Sequence, residues 1–570
     1  MYRQILTHPI TMAALVTLAN AVKPVTVDDT AYIIYARHIA AHPTDPYGFP
    51  IFWWFAPEPA MGVLCPPVVP YWLAGGVALF GDSPALLKLW VFPFVWLLAW
   101  ALRALVRRFA RGTETFALPL LILSPAVLPT VNLMLDVPAA ALAMAAVELF
   151  IRACRPRTSE LPTGIDGRPN RLLAVAAGLV AGLAMQTKYS AFVAPAVIMW
   201  FGLTHRRAVT AVVAVCACGA VFAGWELCLV EKYGQSHFWF HATAPSDPPP
   251  GENKFSAALA EKFELIGFLA GHFGCLAVGA GLVAGSALRV PRRWLVGTAV
   301  IWSVGFVLVA TLPRRWTVWD GDVTLTTAFW QASGALWFAS VTACATALLL
   351  RVKRGVGFRL RPDTIFLIGW LAIEVAAALA LTPFPAARRV IGTTLVAGLV
   401  AARAAGRIAR ARPGRRPSRG VLALGIAAGI AVAAIDVLDA FPEQVCAEMS
   451  ADVTRDRPDT ATVWYAGHWG FQHYCEREGM RPLVAGESVV RAGDYVVLPI
   501  HPDGGFHRPY TGFTVKEPLR EGDEVAVIVW DDPLSAKTVP NFYGGVDPVA
   551  GRDHPRLRVR VYRLRADWAP

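Results

Sequence analysis

The stretch AVTAVVAVCACGAVFAGWELCLV, residues 208–230, decides what kind of protein this is. It holds a single charged residue, Glu226, in 23 positions. Wound as a helix it would be about 35 Å long, enough to cross the roughly 30 Å hydrocarbon layer of a bilayer. Runs of the same character follow at Leu173–Ala184, Trp294–Leu312 and Thr364–Leu381. Across 570 residues, 55% are hydrophobic, 16% are charged and the mean hydropathy is +0.46. A soluble core cannot absorb that much apolar surface. The expected fold is mainly α: a polytopic transmembrane helical bundle of about thirteen spans.

The formal charge of +12 would suggest a nucleic-acid partner if the cations shared one soluble face. They fall instead in alternate loops: Arg103, Arg107, Arg108 and Arg111; Arg152, Arg155, Arg157, Arg168 and Arg171; Arg206 and Arg207; Arg289, Arg292 and Arg293; Arg351, Lys353, Arg354, Arg359 and Arg361; and seven arginines from Arg403 to Arg419. With Arg3 these make 27 Lys and Arg in one set of segments, against 11 from Lys23 to Arg389 in the other. The positive-inside rule then puts the N-terminus in the cytoplasm and the C-terminus outside, with no nucleic acid involved. The arginines of 403–419 read as a topology anchor touching anionic membrane lipids. The Arg- and Ala-rich composition points to a bacterial inner membrane with an active face toward the periplasm or exterior.

The apolar pattern stops near residue 440, so residues 1–440 are expected to form the membrane domain and 441–570 a small extracytoplasmic α/β domain. Strands are expected at Ala461–Ala466, Tyr495–Ile500, Glu524–Trp530 and Arg556–Leu564, separated by Gly, Pro and Asp. The first run lacks a small-x-small cleavage site before Asp28 and reads as an uncleaved span. Of the nine cysteines only Cys446 and Cys475 fall in the external part, where a bridge between them is open.

The outer segments carry the chemistry. The first, from Lys23 to about Lys88, is too long for a connector. It opens with Asp28 and Asp29 and continues through Thr30–Ala41, an amphipathic helix expected to lie on the membrane surface. Asp136 stands at the turn before the fourth span. Helix capping explains each acid taken alone, but both are expected at one membrane face, where two carboxylates can divide the work of catalysis. Three cationic sites break the charge rule on that face: Lys188; Arg314 and Arg315; and Arg388 and Arg389. Snorkelling explains any one of them, whereas all three together would suit a lipid-linked phosphate.

In their order these motifs resemble the GT-C superfamily of membrane glycosyltransferases, specifically glycosyltransferase family 39, the protein mannosyltransferase and aminoarabinose transferase branch. The likeness rests on Asp28 and Asp29 with Tyr32 three residues on, on Pro66 and Pro67 leading to Tyr71 and Trp72, on Leu135–Asp136, on Thr187–Lys188 and on Pro385 to Arg388. It covers roughly residues 1–440. Where some relatives carry an acid and a Lys, this chain has Cys65 and Pro66, and the family's frequent Glu is here Asp29. The resemblance implies transfer of one sugar from a polyprenyl phosphate to an acceptor hydroxyl of a protein, lipid or glycan, with inversion. It implies catalysis by Asp28, Asp29 and Asp136, phosphate binding by Lys188, Arg388 and Arg389, and substrate contacts from Tyr32 and Tyr71. No cofactor is demanded, and a divalent metal is an open expectation. A lipid-linked-sugar transporter or flippase is the competing class, to which Glu148, Glu226 and Glu374 in or beside spans would belong. Zinc at His237 and His241, or at His468, His473 and Cys475, lacks standard ligand spacing, and aromatic packing is the preferred reading.

Overall fold

The computed structural model describes residues 8–53, 56–63, 65–154, 169–243, 254–312, 317–319, 323–350, 361–382, 385–411, 419–500, 522–530, 536–538, 547–551 and 557–569. Arg3, the Arg155–Arg168 cations, Arg314, Arg315, Arg351–Arg359 and Arg412–Arg416 lie outside them. The membrane portion contains α1 Pro9–Ala21, α2 Asp29–Ala41, α3 Val68–Phe80, α4 Pro84–Trp90, α5 Phe92–Phe109, α6 Glu114–Ile122, α7 Asp136–Ala153, α8 Arg171–Met185, α9 Val193–Thr204 and α10 Ala208–Tyr233. It continues with α11 His237–Thr243, α12 Lys254–Leu276, α13 Val278–Ala287, α14 Arg292–Thr311, α15 Leu325–Leu350, α16 Pro362–Leu381, α17 Ile391–Ala411 and α18 Arg419–Val453.

The chain is a mainly helical, multi-pass membrane protein. Seven described helices are long and apolar enough to cross a bilayer, or eight if α12 and α13, bent by 77° at their junction, form one span. The other expected spans coincide with shorter helices, and the third differs most. Its helix, α6, stops after nine residues, and Ser124, Pro125 and Pro129 hold the chain irregular up to α7. Every residue from Ser124 to Ala139 is buried. Non-helical backbone survives in a membrane protein only where other protein groups satisfy it. Here Asn20 Nδ2 donates to Leu128 O at 2.7 Å and Leu133 N donates to Asp29 Oδ1 at 3.0 Å.

The centre of the bundle is the segment Ala387–Arg410, 89% of whose apolar window is buried, against 22% for Ala208–Tyr233 at the periphery. Small residues set the helix spacing. On α8, a Cβ added at Gly178 would stand 2.1 Å from Ala214 O of α10, and one at Gly182 would stand 2.6 Å from Val221 Cβ. This is the small-xxx-small contact by which membrane helices gain van der Waals packing where lipid supplies no hydrophobic drive.

The expected surface helix is α2, but protein covers its apolar side. Tyr32, Ile33, Tyr35 and Ala36 are buried, with α3 and α19 (Trp469–Arg477) packed on it. Beyond the bundle, β1 Val463–Tyr465, β2 Arg481–Pro482, β3 Tyr495–Ile500, β4 Gly522–Trp530 and β5 Leu557–Leu564 form one sheet in the order β2-β1-β3-β5-β4. The strand β1 runs parallel to β2 and β3, while β5 is antiparallel to β3 and β4. All four expected strands belong to this sheet. The division expected at residue 440 falls inside the continuous α18. Cys446 and Cys475 are both buried and free.

Gly178→Val should force α8 and α10 apart, because backbone is what a new Cβ meets. The expected cost is about 1–3 kcal/mol, read as a lowered melting temperature of the detergent-solubilised protein.

Candidate active site

Four side chains from distant parts of the sequence form one buried chain of charges. Arg388, in the short turn Ala387–Val390 before α17, donates from Nη1 to Asp28 Oδ2 at 2.7 Å and lies 4.0 Å from Asp136 Oδ2. Lys188 Nζ, in the turn after α8, donates to the other oxygen of Asp136. The side chains of Asp28, Asp136 and Arg388 are all less than a tenth exposed, and that of Lys188 is 15% exposed. Capping accounts for neither acid. Asp28 is the N-cap of α2 and Asp136 the first residue of α7, yet neither makes a side-chain cap bond. Burying such charges costs several kcal/mol per ion, roughly what their attraction returns. Stability alone therefore gives little reason to keep them.

Asp136, Lys188, Arg388 and Arg389 form the polar end of a cleft between α7, α9, α16 and α17, with about 100 Å³ of free space. Its remaining wall is mainly apolar, including Ala140, Met144, Val197, Trp370 and Leu381. Burial pulls the Lys188 ammonium below the ordinary lysine range, to about 7, and Asp136 opposes that pull. Asp28 stands behind Arg388. Its Oδ1 is buried and has no hydrogen-bond partner among the described residues.

Asp29 sits apart from the cleft. It is fully buried, accepts from Leu133 N, and lies 3.5 Å from Lys88 Nζ. Lys88 Nζ also donates to Lys23 O and Pro24 O, at 2.6 and 2.9 Å, and Lys23 Nζ meets Asp436 Oδ2 at 2.5 Å. This second charge chain ties the segment Lys23–Lys88, the irregular run and α18 together. Lys23, Lys88 and Asp436 carried no signal of their own in the sequence beyond one sign: Asp436 is an acid inside an apolar run, which marks a partnered position. Tyr32 is buried in α2, and Tyr71 is tied by its hydroxyl to Pro43 O at 2.8 Å; neither lines the cleft. Arg314 and Arg315 lie outside the described residues.

The backbone beside Asp28 is strained. Val27, fully buried and β-branched, has φ +46°, a conformation that costs of order 1–3 kcal/mol and persists only where neighbours hold it. The neighbour is α19. Tyr474 accepts from Val25 N at 2.9 Å, Thr30 Oγ1 donates to Trp469 O at 2.7 Å, and a Cβ at Gly470 would stand 2.4 Å from Val25 O.

The remaining polar residues have local work. Glu226 accepts from Gln186 Nε2 (3.1 Å), Ser236 Oγ (2.6 Å) and Phe238 N (3.0 Å), fixing the start of α11. His237 stacks on Tyr47 and His468 on Phe52, and burial lowers the His237 and His473 imidazoles well below the usual range. Glu148 pairs with Arg152 at 2.7 Å, while Glu374 accepts from Trp370 Nε1 at 3.0 Å and lines the cleft. Among the described residues no group of three His, Cys, Asp or Glu is placed to hold a metal ion. Asp28 has the buried Cys65 thiol and Arg388 nearby, a donor set that does not by itself hold a divalent cation.

No family model and no curated protein matches the chain. Solved structures that it is similar to include an oligosaccharyltransferase and ArnT. One is the Archaeoglobus fulgidus oligosaccharyltransferase, apo (14% identity, 84% of this chain and 64% of that chain covered, TM-score 0.46) and with Zn and sulfate (14%, 86% and 67%, TM-score 0.47). Another is ArnT from Cupriavidus metallidurans, apo (14%, 97% of each chain, TM-score 0.41) and bound to undecaprenyl phosphate (13%, 86% and 92%, TM-score 0.37). The chain thus spans about two thirds of the oligosaccharyltransferase. At this identity and these scores the likeness assigns this chain no activity.

Tyr474→Phe leaves the Val25 amide without its acceptor. An expected loss of about 1–3 kcal/mol should appear as faster hydrogen exchange confined to residues 25–30, with exchange in α17 unchanged.

Proposed function

We propose that this chain is an integral membrane glycosyltransferase that moves a single sugar from a polyprenyl-phosphate donor to an acceptor hydroxyl at the extracytoplasmic face, with inversion. The observation that carries this reading is the convergence of Lys188, Arg388 and Arg389 on one end of a cleft whose other walls are mainly apolar. Such a cleft suits a ligand that is a phosphate at one end and an isoprenoid at the other. The N-terminus lies in the cytoplasm, as the charge asymmetry of the loops requires.

The reaction forms one bond and breaks one. The acceptor oxygen attacks the anomeric carbon, the bond from that carbon to the phosphate oxygen breaks, and the lipid phosphate leaves with the electron pair. Lys188, Arg388 and Arg389 stabilise the charge that gathers on it. The acceptor proton passes to Asp28, whose Oδ1 has no hydrogen-bond partner among the described residues while Oδ2 is held by Arg388. Asp136 keeps Lys188 and Arg388 in place between donor and base. Asp29 acts through Leu133 and Lys88 to position the loop, and Tyr32 and Tyr71 shape the acceptor side of that loop. The acceptor is a protein, a lipid or a glycan.

The test is transfer of label from a panel of polyprenyl-phosphate monosaccharides by the purified protein in nanodiscs, with a membrane and periplasmic extract as acceptor. Asp28→Asn preserves size and should lower the rate by about a hundredfold or more. Label that binds or crosses the bilayer without being transferred by either protein would replace this reading with a transporter.

Donor binding should also depend on pH. Only the charged ammonium attracts phosphate, so affinity should fall as pH rises through about 7. In Lys188→Arg the guanidinium stays charged and the fall should disappear, measured as polyprenyl-phosphate binding from pH 6 to about 9.

A further inference from the structure

A second cleft lies among the cations of α5 and α7, away from the candidate active site. It holds about 300 Å³ of free space and is lined by Trp100, Arg103, Arg107, Arg108, Glu148 and Arg152, with Pro9 of α1 closing one side. Two of the four guanidiniums are already matched: Arg152 bonds Glu148 and sits 4.6 Å over the Trp100 ring, and Arg108 lies 3.3 Å from Asp363. Arg103 and Arg107 make no hydrogen bond or ion pair with any described residue. They stand one turn apart on α5, a like-charge spacing that works against a helix. Arg103 is partly buried and Arg107 is exposed at the mouth. Anchoring the topology needs only positive charge in the loop and leaves unexplained why the charges line a cavity together with Trp100 and Ala104.

We propose that this cleft binds the phosphate headgroup of an anionic glycerophospholipid from the leaflet the arginines face. The two unmatched guanidiniums supply forks for the phosphate, and Trp100 and Ala104 lie against the glycerol and the first acyl carbons. The site is independent of the sugar-transfer reading, since the two clefts share no lining residue.

The experiment is native mass spectrometry of the full chain released from bilayers of phosphatidylcholine containing a minor fraction of phosphatidylglycerol. The wild type should retain one phosphatidylglycerol in preference to phosphatidylcholine, and Arg103→Gln/Arg107→Gln should weaken that retention by about thirtyfold. Arg289→Gln/Arg292→Gln, which removes the same charge from a different loop, should leave it unchanged. An unaltered melting temperature in pure phosphatidylcholine certifies that the variants are folded. On the wild type alone, phosphatidylglycerol should raise the melting temperature above its value in phosphatidylcholine, and added salt should abolish the rise. Equal retention of the two lipids, equal loss in the control variant, or displacement of the lipid by millimolar inorganic phosphate would each overturn the proposal.

Discussion

Arg388 is the residue on which the arrangement turns. Its guanidinium lies between two buried carboxylates contributed by chain segments more than a hundred residues apart, bonding Asp28 at 2.7 Å with Asp136 at 4.0 Å. Removing one partner of such a set leaves uncompensated charge in a dry interior, at a cost of about 3–5 kcal/mol. The segment leading into α2, the irregular run before α7 and the turn before α17 must therefore stay in register with one another. That turn opens the segment that runs on through α17, the most buried part of the bundle. The guanidinium consequently has little freedom to move, and both acids are placed relative to a rigid element.

The second charge chain does for the loop what the first does for the cleft. Lys23, Lys88, Asp29 and Asp436 are all less than a tenth exposed, and the two lysines spend their donors on backbone carbonyls as well as on carboxylates. In this way the irregular segment between α6 and α7 finds partners that a helix would have found within itself. The strained φ of Val27 fits the same picture. Contacts made by α19, from the far end of the chain, hold the loop in a conformation it would not adopt alone. The segment C-terminal to α18 thus bears directly on where Asp28 points.

Much of the fold was legible in the sequence because it depends on local pattern. Apolar runs and short β-rich stretches marked the seven long apolar helices and the four main strands with only neighbouring residues to read, whereas about thirteen spans were expected. The third span was not, because its breakers are two prolines and a serine whose effect depends on whether other protein is present to satisfy the freed backbone. The surface helix was legible as a helix but not in its setting. Its apolar face is equally suited to lipid and to protein, and only the tertiary structure shows α3 and α19 lying on it. Within the candidate site the residue types were legible and their partnerships were not. Asp28 and Arg388 are 360 positions apart. Asp28 and Asp29, neighbours in the sequence, point into different charge chains because successive helical residues diverge by about 100° around the axis.

That divergence sends one acidic pair to two different parts of the fold: Asp28 holds the turn before α17, and Asp29 holds the irregular run before α7. Asp29 accepts from Leu133 N through one oxygen and lies 3.5 Å from Lys88 with the other, while Asp28 engages Arg388 through one oxygen; the second oxygen of each acid is buried without a hydrogen-bond partner among the described residues.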